Sequence, residues 1–184
     1  MISLKNYTNQ ISDEINFNKS KIVQFAKLVK DKKNKKKRIF FIGNGASNTI
    51  GSHFALDFSK NLGVSSINLE SPALISAISN DLGYEYVFAR MLKTFNIKKD
   101  LLVAISSSGN SKNIINAINF FKTKGQVVTL SGINKNNKAI KTNIKGINIF
   151  INLSGYNQVE CSHNQVLGFV CDYVKGSHLY KVNI

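Results

Sequence analysis

The sequence predicts an α/β fold, a three-layer αβα sandwich around a five-stranded parallel sheet. Two observations carry that expectation. Five short, largely apolar runs occur at 38–43, 65–70, 101–106, 127–132 and 147–153, and helical patterns at 47–62, 73–94, 111–123, 137–143 and 158–175 separate them. Strands that are apolar on both faces and alternate with helices belong to a parallel sheet covered on both sides. In such folds ligands sit at the carboxyl ends of the strands.

Each element has its own local reason. Ahead of the first strand, Ile22, Phe25, Ala26 and Val29 recur at helical spacing, and Ser12-Asp13-Glu14 suits an N-terminal turn, so a helix is expected over 9–30. The helix 47–62 carries an apolar stripe of Ile50, Phe54 and Phe58. The one proline, Pro72, precedes the next helix, whose pattern Gly83 interrupts. Ile114, Ile115 and Ile118 open the apolar face of helix 111–123, and Val159, Val166 and Val170 that of helix 158–175.

Length and composition bound the function. A chain of 184 residues is one domain, 1–184, with a core of useful size. Hydrophobic residues at 43% against 19% charged exclude a disordered chain. No apolar run approaches the roughly 18–20 residues that span a bilayer, and MISLKNYTNQ lacks a signal-peptide core. The expectation is a cytoplasmic protein without membrane contact. Cys161 and Cys171 lie ten apart on one expected helix, about 15 Å along its axis, and cannot bond to each other there.

The formal charge of +15 raises nucleic acid as a partner. Only Arg38 and Arg90 are arginines, however, and the lysines recur with asparagine throughout the chain. Base readout leans on arginine, and no basic motif is interleaved with aromatics. The densest cluster, Lys32 to Arg38, falls where a helix should end, a place that favours cations. It reads as a solvated helix end, and nucleic acid as a poor fit.

The motif with the most chemistry is Ile105-Ser-Ser-Ser-Gly-Asn-Ser111, which follows the apolar run Leu101–Ala104 and precedes a helix. Hydroxyl donors, a glycine that lets backbone approach and a helix N-terminus suit a phosphate ester. A second glycine turn, Gly43-Asn44-Gly45-Ala46-Ser47, ends the first strand. Asn48 fills the third glycine position of a G-x-G-x-x-G pattern and no Gly-Lys-Ser/Thr follows, so no nucleotide cofactor is expected. The two turns converge on one sheet edge and together outline a pocket that needs no metal to hold phosphate.

Three further groups border this region. His53 and Asp57 are one turn apart on helix 47–62, a pair that suits proton transfer or nothing at all. Asn80-Asp81-Leu82-Gly83-Tyr84 sets an amide and a carboxylate beside a backbone break, where they can meet sugar hydroxyls. Glu160 and His163 lie one turn apart on the last helix, with His163 on its apolar face, the usual place of a core histidine.

These residues together resemble the sugar isomerase domain (SIS-domain) family, of the phosphoheptose isomerase type. The resemblance rests on Ile42-Gly43-Asn44-Gly45-x-Ser47, His53-Phe54-Ala55, the stretch Ala77 to Arg90, Ile105-Ser106-x-Ser108-Gly109-Asn110-Ser111 and Leu130-Ser131-Gly132, in that order over nearly the whole chain. It implies a flavodoxin-like sandwich and a homotetramer with active sites between subunits. Residues 1–36 would form the helix that packs in the oligomer and 37–184 the core. It implies conversion of sedoheptulose 7-phosphate to a heptose phosphate for lipopolysaccharide or capsule. By position, Ser106, Ser108 and Ser111 would bind phosphate with Ser107 close by, Asn44, Gly45 and Ser47 would contact the sugar phosphate, and Asp81 its hydroxyls. His53 matches a histidine that some members use with zinc.

The chain also departs from that pattern. Asp57 stands where the isomerases have their glutamate base, Glu160 where they have a glutamine, and Gly168 where they have a second catalytic histidine. Asn157 and Gln158 replace an aspartate and an arginine. Two readings follow. In the first, an isomerase uses Asp57 or Glu160 as base and His163 or His53 as acid, or His53, Asp57 and Glu160 hold a divalent ion such as zinc that polarises the carbonyl. In the second, the chain binds phosphosugars without turnover, as a regulatory scaffold. A nucleic-acid accessory role, resting on charge alone, is the weakest reading.

Overall fold

The computed structural model describes residues 3–179; the ends of the expected domain, 1–2 and 180–184, lie outside the described residues. The elements run α1 (Leu4–Phe17), α2 (Lys19–Asn34), β1 (Ile39–Ile42), α3 (Ala46–Leu62), β2 (Ser66–Asn68), α4 (Pro72–Leu82), α5 (Val87–Lys93), β3 (Leu101–Ser106), α6 (Lys112–Phe121), β4 (Gln126–Gly132), α7 (Lys138–Thr142), β5 (Ile147–Ile151) and α8 (Tyr156–Lys175). The five strands form one sheet in the order β2-β1-β3-β4-β5, and every pairing is parallel. The expected sandwich is therefore the observed one. Its winding reverses between β1 and β3, and the crevice at such a reversal is where open α/β sheets bind ligands.

The strands alternate their side chains between two cores. Ile39, Phe41, Leu101, Val103 and Ile105 pack with Phe25, Phe54, Phe58, Val159 and Val166 under α2, α3 and α8. Phe40, Ile42, Leu102 and Ala104 pack with Val87, Leu92, Ile114, Ile118 and Phe121 under α5 and α6. Both faces being dry explains why these strands read as continuous apolar runs rather than as alternating ones. Fully burying one such phenylalanine or leucine stabilises the fold by about 1.5–3 kcal/mol.

Two helices expected as single pieces are broken. The N-terminal helix begins at Leu4 and stops at Asn18, whose amide donates to the carbonyls of Glu14 (2.9 Å) and Phe150 (2.8 Å). A buried amide that reaches back to its own helix and across to β5 fixes the corner between α1 and α2. The stretch expected as a helix over 73–94 divides at Gly83, which ends α4 at φ +97 and leads through a 3-10 turn at Tyr84–Tyr86 into α5. A side chain is strained at that φ, so the chain turns there and brings Tyr84 toward β1. Pro72 is the first residue of α4, capped by Ser71, whose hydroxyl accepts from the N–H of Leu74.

The basic run Lys32–Arg38 is only partly the solvated surface expected of it. Lys32 is buried, and its ammonium donates to the Lys99 carbonyl (2.9 Å) and to Gln126 Oε1 (2.6 Å). Burial lowers its pKa, while Asp31 opposes the shift. Arg38 pairs with Asp100 at 2.8 Å. Burial alone would push the Asp100 carboxyl up, but hydrogen bonds and charge from Arg38, with a further bond from the Lys98 N–H, hold it below the usual carboxylate range. Both cations tie the amino-terminal end of the sheet together, remote from the carboxyl ends of the strands. Among the described residues no helix is long and apolar enough to cross a membrane.

Candidate functional site: a serine-lined cleft at the carboxyl ends of β1 and β3

A cleft of about 170 Å³ opens at the sheet's point of reversal, lined by Asn44, Ser47, Ile105, Ser106, Ser107, Ser108, Ser111, Tyr156 and Glu160. β1 delivers Asn44, α3 starts with Ser47 in its first turn, β3 and its loop deliver the serines, and α8 brings Tyr156 and Glu160. A larger cleft of about 500 Å³ lies between α1 and the start of α8, lined by Ser3, Asn6, Tyr7, Gln10 and residues 155–158. The smaller one carries the chemistry, because hydroxyl donors and the start of a ten-residue helix converge there.

The serine loop is rigidly held. Gly109 donates its N–H to the Ser106 carbonyl at 2.9 Å, and Ser108 Oγ accepts the N–H of Asn110 at 3.2 Å. The segment after β4 clamps it from outside. Gly132 donates to the Ser107 carbonyl (2.9 Å), Lys138 to Asn110 Oδ1 (3.0 Å) and Ala139 to the Gly109 carbonyl (2.8 Å). Ser111 is the N-cap of α6, yet its hydroxyl makes no capping bond; it lies 3.5 Å from Ser106 Oγ. Two hydroxyls that close together, beside uncapped helix N–H groups, form a ready acceptor site for an anion's oxygens. The matching loop over β1, Gly43–Ser47, supplies Asn44 and Ser47 to the same cleft, with Gly45 at the N-cap of α3.

Glu160 is half-buried, with Oε1 3.5 Å from Ser107 Oγ. It sets an acceptor for hydroxyl groups against a wall of donors. Tyr156 lines the cleft, and it had no signal in the sequence beyond its place at the start of the last helix. Asn113 was also missed. It is 2% exposed and hydrogen-bonded to Asn44.

Other expected site residues lie elsewhere in the chain. Asp81 is exposed, accepts from Asn80 at 3.0 Å and does not line the serine cleft. His53 and Asp57 do face each other, with Nε2 to Oδ2 at 3.5 Å. Asp57, however, sits three turns into α3, about 16 Å along the axis from its start. There it accepts from Asn61 (3.0 Å) and, after burial itself, is the chief charge raising the pKa of the Cys171 thiol. Among the described residues of one chain, the cluster expected of His53, Asp57 and Glu160 does not come together. Among the described residues no three His, Cys, Asp or Glu side chains come together in a metal-holding group. Glu160 lines the serine cleft from the second turn of α8, whereas Asp57 lies three turns into α3 and is not among the residues that line it.

His163 lies in the core face of α8. It is fully buried, its Nε2 donates to the Ser131 carbonyl at 3.4 Å, and Nδ1 has no hydrogen-bond partner. Burial depresses its pKa to about 4, against a small opposing effect of the Ser131 carbonyl. A neutral, fully buried imidazole on the inner face of α8 is placed as a core residue, outside the residues that line the cleft. Gly168 is half-buried in the middle of α8, and a Cβ there would meet nothing within 4 Å.

Comparison with known proteins agrees with this architecture. The family model described as "SIS domain" matches residues 4–132. A phosphoheptose isomerase of Glaesserella parasuis serovar 5 is 36% identical over 140 residues, 72% of this chain and 73% of that one. Another from Sodalis glossinidius is 37% identical over 136 residues, covering 71% and 69%. The solved structure of a phosphoheptose isomerase from Francisella tularensis superposes with a TM-score of 0.87 over 96% of this chain and 100% of that one, at 22% identity.

Proposed function

Because the chain belongs to the SIS-domain family, we propose that it binds a phosphorylated sugar in the serine cleft and interconverts its ketose and aldose forms. Sedoheptulose 7-phosphate is the proposed substrate, and heptose for lipopolysaccharide or capsule the product's destination. The observation that carries this reading is the loop Ser106–Ser111, four cleft-lining hydroxyls at the carboxyl end of β3 and the start of α6. It holds a phosphate by donors rather than by a fixed cation, which suits a ligand whose remainder is an uncharged polyol.

Isomerisation moves a proton between C1 and C2. One group must take the carbon-bound proton and another must donate to the carbonyl oxygen. Glu160 is the carboxylate lining the cleft and is the proposed proton carrier. His53 is exposed and is not among the residues that line its own serine cleft, which favours service in a second subunit's site. A cytoplasmic homotetramer is part of the proposal. Leu56, Phe169 and Tyr173 stay 58%, 45% and 40% exposed on α3 and α8, and apolar side chains of that size support burial against another copy.

A second reading keeps the binding and drops the chemistry. It is favoured by the burial of His163, the displacement of Asp57 from the cleft and the glycine at 168. One experiment separates the two. The protein is incubated with sedoheptulose 7-phosphate, with and without Zn²⁺, and aldose formation is followed. Turnover is expected; its absence together with retained sugar-phosphate binding would establish the binder instead. Ser108→Ala combined with Ser111→Ala should abolish binding, and unchanged affinity would overturn the assignment of the cleft.

A further inference from the structure

Asn44 lines the serine cleft from the β1 side. Its amide is locked in one orientation by residues from two other segments. Asn44 Oδ1 accepts the Tyr84 hydroxyl at 2.8 Å and Asn113 Nδ2 at 2.8 Å, while Asn44 Nδ2 donates to Asn113 Oδ1 at 3.1 Å. The orientation of such an amide follows from its network. Asn113 Oδ1 also accepts the backbone N–H of Ile114 at 2.9 Å. An NH₂ group in that place would point at another N–H, so the oxygen of Asn113 is fixed. The reciprocal pair then fixes Asn44: its oxygen faces Asn113 Nδ2, and the Tyr84 hydroxyl fills the second lone pair.

The consequence is a count of hydrogen-bonding capacity. Both acceptor sites of Asn44 are used, and so is one of its two amide hydrogens. One N–H remains for the cleft. We infer that Asn113 and Tyr84 are positioning residues that make Asn44 a pure hydrogen-bond donor, so that this wall of the cleft selects a ligand oxygen that accepts. A sugar-phosphate ester or carbonyl oxygen satisfies it; a group able only to donate does not. This rests on the reading of the cleft as a phosphosugar site and adds how its β1 wall discriminates. It also assigns work to the break at Gly83, which delivers Tyr84 to β1, and to a buried amide in the first turn of α6.

The test is a titration of ¹⁵N-labelled protein with inorganic phosphate and, separately, with sedoheptulose 7-phosphate. The two side-chain amide protons of Asn44 are assigned by their loss in Asn44→Ser. One should shift on saturation while the other, bonded to Asn113, stays. A shift with both probes places the acceptor on the phosphate; a shift with the sugar phosphate alone places it on the sugar. Calorimetry supplies the second readout. Tyr84→Phe, at a half-exposed residue, should raise the Kd for sedoheptulose 7-phosphate by about 3- to 10-fold. Asn113→Asp keeps the acceptor for Ile114 and removes the donor to Asn44, and should raise it by about 10-fold or more. If its spectrum shows that Asn113→Asp does not fold, Tyr84→Phe and the wild-type titration still decide. Backbone N–H shifts at 106–111 without any Asn44 shift, or variants that bind like wild type, would overturn the inference and leave the phosphosugar reading standing. If neither probe moves residues 106–111, both fall.

Discussion

Ala139 donates its backbone N–H to the carbonyl oxygen of Gly109 at 2.8 Å, so the start of α7 pins the serine loop in place. Gly109 sits at φ +63, and a Cβ there would fall on the side chain of Asn137. Asn137 in turn caps α7, accepting from Ile140, and donates to Ser131 Oγ. Gly109→Ala should therefore act twice. It strains the backbone by about 1–3 kcal/mol and moves the clamp. The expected outcome is a lowered midpoint in urea together with loss of sugar-phosphate binding. Retained binding at reduced stability would mean that the loop tolerates displacement of Asn137.

The buried imidazole of His163 makes stability depend on pH. Its folded pKa is about 4, below the unfolded value of about 6.5. Between these two values the unfolded chain binds a proton that the folded chain refuses, so stability rises with pH across the window and is lost as pH falls through it. The loss amounts to roughly 3 kcal/mol from pH 6.5 to 4. His163→Gln keeps an N–H donor for Ser131 and removes the titration. Its denaturant midpoint should be flatter than wild type's over that window, and parallel profiles would refute the role of His163.

Asp100 works at lower pH and in the same direction, because the fold again favours the deprotonated form. Its folded pKa is held down by Arg38 against the upward pull of burial. Its contribution is therefore complete above the unfolded value near 4 and disappears as pH falls through the folded one. Asp100→Asn should cost about 1–3 kcal/mol at neutral pH, since it weakens bonds to Arg38 and Lys98. The difference from wild type should narrow below about pH 4.

Gly168 offers a prediction about stability and another about chemistry. It is a helix-interior residue whose added Cβ would meet nothing. Gly168→Ala should stabilise the protein by about 0.5–1 kcal/mol, read as a rise in Tm of about 1–4 °C. The Cβ of Gly168→His meets the same open space. If the glycine marks a lost proton carrier, sedoheptulose 7-phosphate turnover rises by at least about tenfold in that variant. Unchanged turnover would show that position 168 does not limit the rate.

The fold was legible because both faces of the sheet are covered. Phe40 and Phe41 point into different cores, and each strand so reads as a plain apolar run. The serine loop was legible because local spacing places Ser106–Ser111 between a buried strand and a helix start, and no long-range contact is needed to see it. What the sequence hid were relationships between distant segments. Asn18 breaks the first helix because Phe150, far along the chain, offers it a carbonyl. Lys32 looked like one more solvated lysine until the turn before β3 and the start of β4 gave it partners.

By itself, then, the sequence determined the layered sheet, its carboxyl-end cleft and the hydroxyl donors that line it, since periodicity and turn chemistry are local properties. Only the tertiary structure decided which titratable groups share that cleft. Helix spacing put His53 beside Asp57 and Glu160 near His163, but the direction in which α3 and α8 leave the sheet carries Asp57 toward Cys171 and seals His163 against Ser131. It also decided how Asn44 is aimed, because an amide's two ends differ only by the partners that the fold brings to them.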